Sequence, residues 1–151
     1  MKKRETWRII QTRFGYVQIS SLHGKNEMVE NIRIACSLAT KLGHSIFLLA
    51  RSTNQKCADS KNATLGVFQE YKVCKIPTQS SIDNALRKGA KQANHIVLEI
   101  QGEISAGNLR NYIHDRVART PNIKSVVIIK NSAFQHYFRE QILQVDWSLL
   151  K

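Results

Sequence analysis

Three observations make this chain an α/β protein with a mixed central sheet flanked by helices. Apolar residues recur at helical spacing in three separate segments, short apolar runs of strand length stand among them, and the core order is helix, three strands, helix, strand. With 151 residues, 42% hydrophobic and 23% charged, the composition suits one soluble domain with a core of its own. A single domain over residues 1–151 is expected, with an N-terminal strand extension over 1–25, a core over 26–130 and a C-terminal hairpin or short helix over 131–151. No window approaches ~20 consecutive apolar residues, so no membrane span is expected. Glu5, Arg8, Gln11 and Arg13 interrupt what would be the apolar run of an export signal.

Tyr16-Val17-Gln18-Ile19-Ser20 alternates apolar and polar residues and predicts a strand, paired with residues 7–10 across Phe14-Gly15. Met28, Ile32, Ala35, Cys36, Ala39 and Leu42 predict a helix over 26–42, with Asn26 as N-cap and Gly43 as stop. Residues 44–49 predict a buried strand. Further strands are expected at 63–65 and 67–73, with Gly66 as the turn between them. Beyond Pro77, Ser80 is the expected cap of a second helix that buries Ile82, Ala85, Leu86, Ala90 and Ala93. A strand over 95–100 leads to a helix over 106–119, whose buried stripe is Leu109, Ile113 and Val117 and whose end is marked by Pro121. Residues 125–129 form the strand it feeds. Trp7, Phe14 and Tyr16 are expected to be buried in the N-terminal strand layer, the alternative being rings that stack on bases.

Lys and Arg number 23 against 11 Asp and Glu, a net charge of +12. That excess argues against an anionic surface for cationic substrates and for a polyanionic partner. Seven Gly, two Pro and no low-complexity stretch assign the charge to a folded surface rather than a disordered tail. Cys36, Cys57 and Cys74 are odd in number and lack a C-x-x-C pair, so they are expected to be reduced thiols, which suits action in a reducing cytoplasm.

The more basic half, residues 1–75, holds five acids: Glu5, Glu27, Glu30, Asp59 and Glu70. Asp59, Glu70 and Lys72 form the string D-x10-E-x-K. On a strand, Glu70 and Lys72 project to one face and Tyr71 to the other. Two carboxylates brought together from a turn and a strand can hold a hard divalent cation, and a lysine beside them can orient the attacking water and stabilise charge developing on phosphorus.

This arrangement resembles the PD-(D/E)XK nuclease superfamily, the restriction-endonuclease-like fold, whose core is helix, three strands, helix, strand, here followed by a helix-strand extension. Ala58-Asp59-Ser60, Gly66-Val67-Phe68-Gln69-Glu70-Tyr71-Lys72 and the run from Ser81 to Leu98 resemble the C-terminal tRNase domains of contact-dependent growth inhibition toxins. The resemblance covers roughly residues 26–130. It implies a metal-dependent nuclease cleaving nucleic acid, tRNA in preference to DNA, with Mg²⁺, Mn²⁺ or another divalent cation held by Asp59 and Glu70 and with Lys72 as the catalytic lysine. A first-helix acid, Glu27 or Glu30, would complete the site. Arg87, Lys88, Lys91 and Gln92 would bind substrate. It further implies a toxin acting in the bacterial cytoplasm, delivered there within a larger secreted or phage protein and neutralised by an acidic immunity protein. The proline that the family places before the aspartate is Ala58 here, and an alignment shifted on Gly66 would put Lys61 in the aspartate's place.

Plainer explanations stand beside these. Glu-Tyr-Lys can lie on an ordinary solvated strand, and Arg87, Lys88 and Lys91 can be the wet face of a helix, with Arg116, Arg119 and Lys124 adding to the phosphate-binding case. A DNA-cleaving toxin or mobile-element nuclease, or a non-catalytic nucleic-acid-binding module on the same fold, fits the same charge. His23, with His44, His95, His114 or His136 as partner, is the candidate for metal-independent ribonuclease chemistry.

Overall fold

The computed structural model describes residues 3–52 and 57–144. The elements are β1 (Trp7–Gln11), β2 (Tyr16–Ser20), α1 (Lys25–Leu42), β3 (Ser45–Leu48), β4 (Ser60–Asn62), β5 (Val67–Cys74), α2 (Gln79–Ala90), β6 (His95–Ile100), α3 (Ala106–Arg119), β7 (Ser125–Lys130), β8 (Ala133–Phe138) and α4 (Arg139–Ile142). The eight strands follow chain order in one mixed sheet. The chain divides into two compact units, the first ending at Gln69 and the second starting at Glu70.

In the first unit β2 pairs antiparallel with β1 and parallel with β3, and β3, β4 and the start of β5 are antiparallel. The period-2 pattern of β2 and β3 turns Val17, Ile19, Ile46 and Leu48 to one side, where they are buried with Ile34, Ala35, Leu38 and Ala39 of α1. Helical spacing of those four α1 residues gives one apolar stripe. The helix begins one residue earlier than its pattern predicts. Its N-cap is Gly24, without a side-chain cap bond, and not Asn26; Gly43 closes it in the left-handed conformation. The turn of the β1–β2 hairpin lies against the end of the helix: a Cβ on Gly15 would stand 2.2 Å from the His44 carbonyl oxygen.

The strand expected at 63–65 lies three residues earlier, at β4. Its inward residues are polar, so alternation of apolar side chains does not reveal it. Asn62 donates to His44 Nδ1 at 2.9 Å and to Gln69 Oε1 at 3.3 Å, and all three side chains are buried. Residues 63–66 are the turn, closed by Leu65 N–H on Asn62 Oδ1 and Gly66 N–H on the Asn62 carbonyl. Gly66 takes φ +71° there, a conformation side chains resist.

The second unit's core joins Ile82, Leu86 and Ala90 of α2, Leu109, Ile113 and Val117 of α3, Ile96, Leu98 and Ile100 of β6, and Val126 and Ile128 of β7. Helix α2 is capped by Thr78 rather than Ser80. Thr78 Oγ1 accepts from Ser81 N–H and Ser81 Oγ accepts from Thr78 N–H, a reciprocal capping box. Ala93 lies past the helix end but is buried as expected. The C-terminal segment is both of its alternatives in turn, β8 paired antiparallel with β7 and then the short α4; residues from 145 onward lie outside the described residues.

Asp83 of α2 clamps α3. Arg116 donates to its two oxygens from Nε (2.7 Å) and Nη2 (2.9 Å), and Arg119 Nη2 adds a bond of 3.0 Å. These bonds, with the Arg116 hydrogen bond the largest cause, hold the Asp83 carboxyl below its ordinary range. Because the folded-state value is depressed, the clamp's stabilisation is complete above a pH of about 4 and is lost as pH falls through the lower folded value. Asp83→Asn is expected to cost about 1–3 kcal/mol at neutral pH. Thermal melts of the two proteins should differ most at pH 7 and converge below pH 4. Gly15→Ala forces a Cβ onto backbone atoms of His44 and Gly43 and is expected to cost about 3 kcal/mol, a drop of roughly 10 °C in Tm.

Candidate active site

The β4–β5 hairpin sets the positions of the predicted carboxylates. Ser60 is paired with Gln69, so Asp59 immediately precedes and Glu70 immediately follows an opposed pair on adjacent strands. Both are buried, with side chains 5% and 6% exposed. Lys72 stands on β5 two residues after Glu70, and its Nζ lies 3.6 Å from Glu70 Oε2. The alternative alignment through Lys61 puts a different residue at the site: Lys61 is opposite Phe68, is exposed, and holds its ammonium over the Phe68 ring.

Arg51, which no sequence pattern marks, joins the first-unit acids. Its Nη2 donates to Glu27 Oε1 at 2.7 Å and its Nη1 lies 3.5 Å from Asp59 Oδ1. The guanidinium stem crosses the start of α1, where a Cβ on Gly24 would meet Arg51 Cγ at 3.1 Å. Glu27 Oε2 is enclosed and has no hydrogen-bond partner. Glu30 is exposed and paired with Arg33 in its own helix at 3.8 Å. Of the two acids that the sequence leaves open, Glu27 is therefore the one linked to Asp59. Among the described residues no group of three or more His, Cys, Asp or Glu is arranged to hold a metal ion.

The basic positions divide. Lys88 and Lys91 are exposed, Arg87 donates to Asn84 Oδ1 at 3.2 Å, and Arg87 and Lys88 occupy the last turn of α2, where cations complement the helix dipole. Gln92 follows the helix with its N–H on the Gly89 carbonyl. Arg116 and Arg119, counted as phosphate contacts by charge alone, are both engaged by Asp83. His23, His44 and His95 are hydrogen-bonded within the fold. His23 is buried, with Nδ1–H directed at the Leu49 carbonyl and Nε2 accepting from Asn31 at 3.0 Å, so neither ring nitrogen is available for general acid chemistry. His44 holds Asn62. His95 bonds Ser125 Oγ at 2.6 Å, and burial holds both His95 and His136 below the usual imidazole range.

Cys36, Cys57 and Cys74 form no disulfide with one another, Cys57 donates to the Ala50 carbonyl, and burial pushes the Cys36 and Cys74 thiols upward, away from thiolate reactivity. No described helix is long and apolar enough to cross a membrane. Trp7 and Phe14, expected in the core, are exposed, and Tyr16 is half-buried. Alternation fixes which side of a strand a residue occupies but not whether anything covers that side.

Among curated proteins none matches this sequence. A solved structure described as a CdiA-CT/CdiI toxin and immunity complex from Burkholderia pseudomallei contains a chain of similar fold, with a TM-score of 0.51 and 15% identity over 75% of this chain and 85% of that one. Residues 66–133 match the family described as the contact-dependent growth inhibition CdiA C-terminal domain. The match includes Glu70, Lys72 and all of α2 and leaves Asp59 outside it. In sequence pattern, then, residues 66–133 are similar to the C-terminal domain of contact-dependent growth inhibition toxins.

Proposed function

We propose that the chain is a toxin nuclease that hydrolyses phosphodiester bonds in nucleic acid, tRNA above DNA, with Asp59, Glu70 and Lys72 as its catalytic residues. The observation that carries this is the hairpin register: two buried carboxylates flank the opposed pair Ser60 and Gln69, with Lys72 one step further along the same face of β5. Buried carboxylates are costly unless they are paired or bind a cation. Here Arg51 lies 3.5 Å from Asp59 and Lys72 lies 3.6 Å from Glu70, and Glu27 Oε2, which has no hydrogen-bond partner, adds an enclosed acceptor on the Arg51 side.

These donors fit Mg²⁺ or Mn²⁺, which use one or two carboxylates together with waters and substrate phosphates rather than an all-protein cage. Asp59 and Glu70 would hold the ion, which when bound supplies Lewis acidity and a more acidic water. Glu27 reaches Asp59 through Arg51, whose guanidinium bonds Glu27 and lies beside Asp59. Lys72 steadies Glu70, orients the attacking water by hydrogen bonding, and opposes the negative charge that grows on the non-bridging oxygens as water adds in line and the bond to the leaving oxygen breaks. Lys88, Lys91 and Arg87 serve as contacts for backbone phosphates, and Gln92 lies beside them. The surface charge and the fold shared with a toxin and immunity complex support an acidic immunity protein as partner, with delivery inside a larger secreted protein and action in the bacterial cytoplasm.

Incubation with total tRNA and with plasmid DNA in Mg²⁺ tests the activity. Cleavage of tRNA is expected, abolished by EDTA, reduced at least about a thousandfold by Glu70→Gln and about a hundredfold by Lys72→Ala, with unchanged circular dichroism. Undiminished cleavage in EDTA contradicts the proposal, as does salt-dependent binding that yields no product with either substrate.

A further inference from the structure

The side of the first unit's strands that α1 does not cover carries one lateral row of side chains. The registers Ile9 with Gln18, Gln18 with Phe47, Phe47 with Lys61 and Lys61 with Phe68 join into a single line across five strands. Opposed residues project to the same side, so the row is continuous and about 19 Å long. Trp7 and Tyr16 stand on the same side and meet the Phe47 ring edge-on, with centroids 5.8 Å and 6.2 Å away. The row remains wet: Trp7 is 42% exposed, Ile9 60% and Phe68 52%. Cations accompany them. Lys61 Nζ lies 5.5 Å from the Phe68 centroid, and at the β1–β2 turn the Arg13 guanidinium lies 5.1 Å from that of Phe14. Through residue 69 the chain has eleven Lys and Arg against four Asp and Glu, a net +7.

We propose that this row is a stacking platform for unpaired bases of the RNA substrate. An exposed aromatic surface that only sought an apolar protein partner would have no use for a cation over its outermost rings. A single strand uses both features, because its bases present π faces to the rings while its phosphates meet the ammonium and guanidinium groups. A duplex keeps its bases stacked on one another and offers phosphates alone. Asp59 lies two residues before Lys61, so RNA crossing the row at Lys61 passes about two residues' rise along the chain from the carboxylate assigned to cleavage. In this the platform rests on the nuclease reading.

The test is binding by the full chain carrying Glu70→Gln, measured by fluorescence anisotropy with a labelled twelve-nucleotide oligouridylate and with an RNA duplex of the same charge. The single strand is expected to bind more tightly. Phe68→Ala should weaken it about tenfold and Lys61→Gln severalfold, while duplex binding changes less than twofold and the melting temperature is unchanged. Equal losses on both probes, or an unaltered single-strand affinity in both variants, overturns the platform. DNA of the same length bound as tightly as RNA overturns the assignment to RNA. Since no cleavage is read, failure here is distinct from failure of the nuclease proposal.

Discussion

If β4 and β5 paired one residue out of register, every side chain of β4 would turn to the opposite side of the sheet. Lys61 would leave the exposed row, and Asn62 would leave its buried partners. The native register is held by several independent features. Gly66 permits the left-handed turn, Asn62 closes it through both its side chain and its carbonyl, and the His44, Asn62 and Gln69 side chains satisfy one another where water is excluded. A slip would leave those buried amides and the imidazole unpaired, which is far costlier than losing solvent-exposed bonds. The polar residues inside this hairpin serve to fix which residues face outward.

The net charge of +12 is not one uniform surface. Arg116 and Arg119 are committed to Asp83, and Arg51 to Glu27 and Asp59. These arginines act as structural cations whose forked geometry suits carboxylates. Among the exposed cations, Lys88 and Lys91 stand around the end of α2, and Lys61 and Arg13 lie over aromatic rings in the first unit. The first group carries the charge that phosphates need and the second adds surfaces on which bases can stack.

Legibility in the sequence follows from how each element is stabilised. Helix α3 was readable to its ends because Leu109, Ile113 and Val117 form a clean stripe and Pro121 follows. The β1–β2 hairpin and β6 were readable from alternation and from an apolar run. Strand β4 was misplaced because its inward side chains, Ser60 and Asn62, are polar, whereas the turn residues Ala63 and Leu65 look apolar. The choice of Thr78 over Ser80 as a cap depends on which of several hydroxyls finds a reciprocal partner. Of the site, D-x10-E-x-K was visible as spacing. Arg51 and the Asp83 clamp were not, since their partners lie 8 to 36 residues away with no periodic relation. The exposed rings were misjudged because hydrophobicity predicts burial only where another layer covers the strand.

The central claim is that Asp59 and Glu70 act as one cation site, and manganese binding followed by electron paramagnetic resonance tests it without any substrate. The full chain should bind one Mn²⁺, Asp59→Asn and Glu70→Gln should each remove that binding, and the double variant should be no worse than either alone. A chain whose Mn²⁺ affinity is unchanged by Asp59→Asn contradicts it.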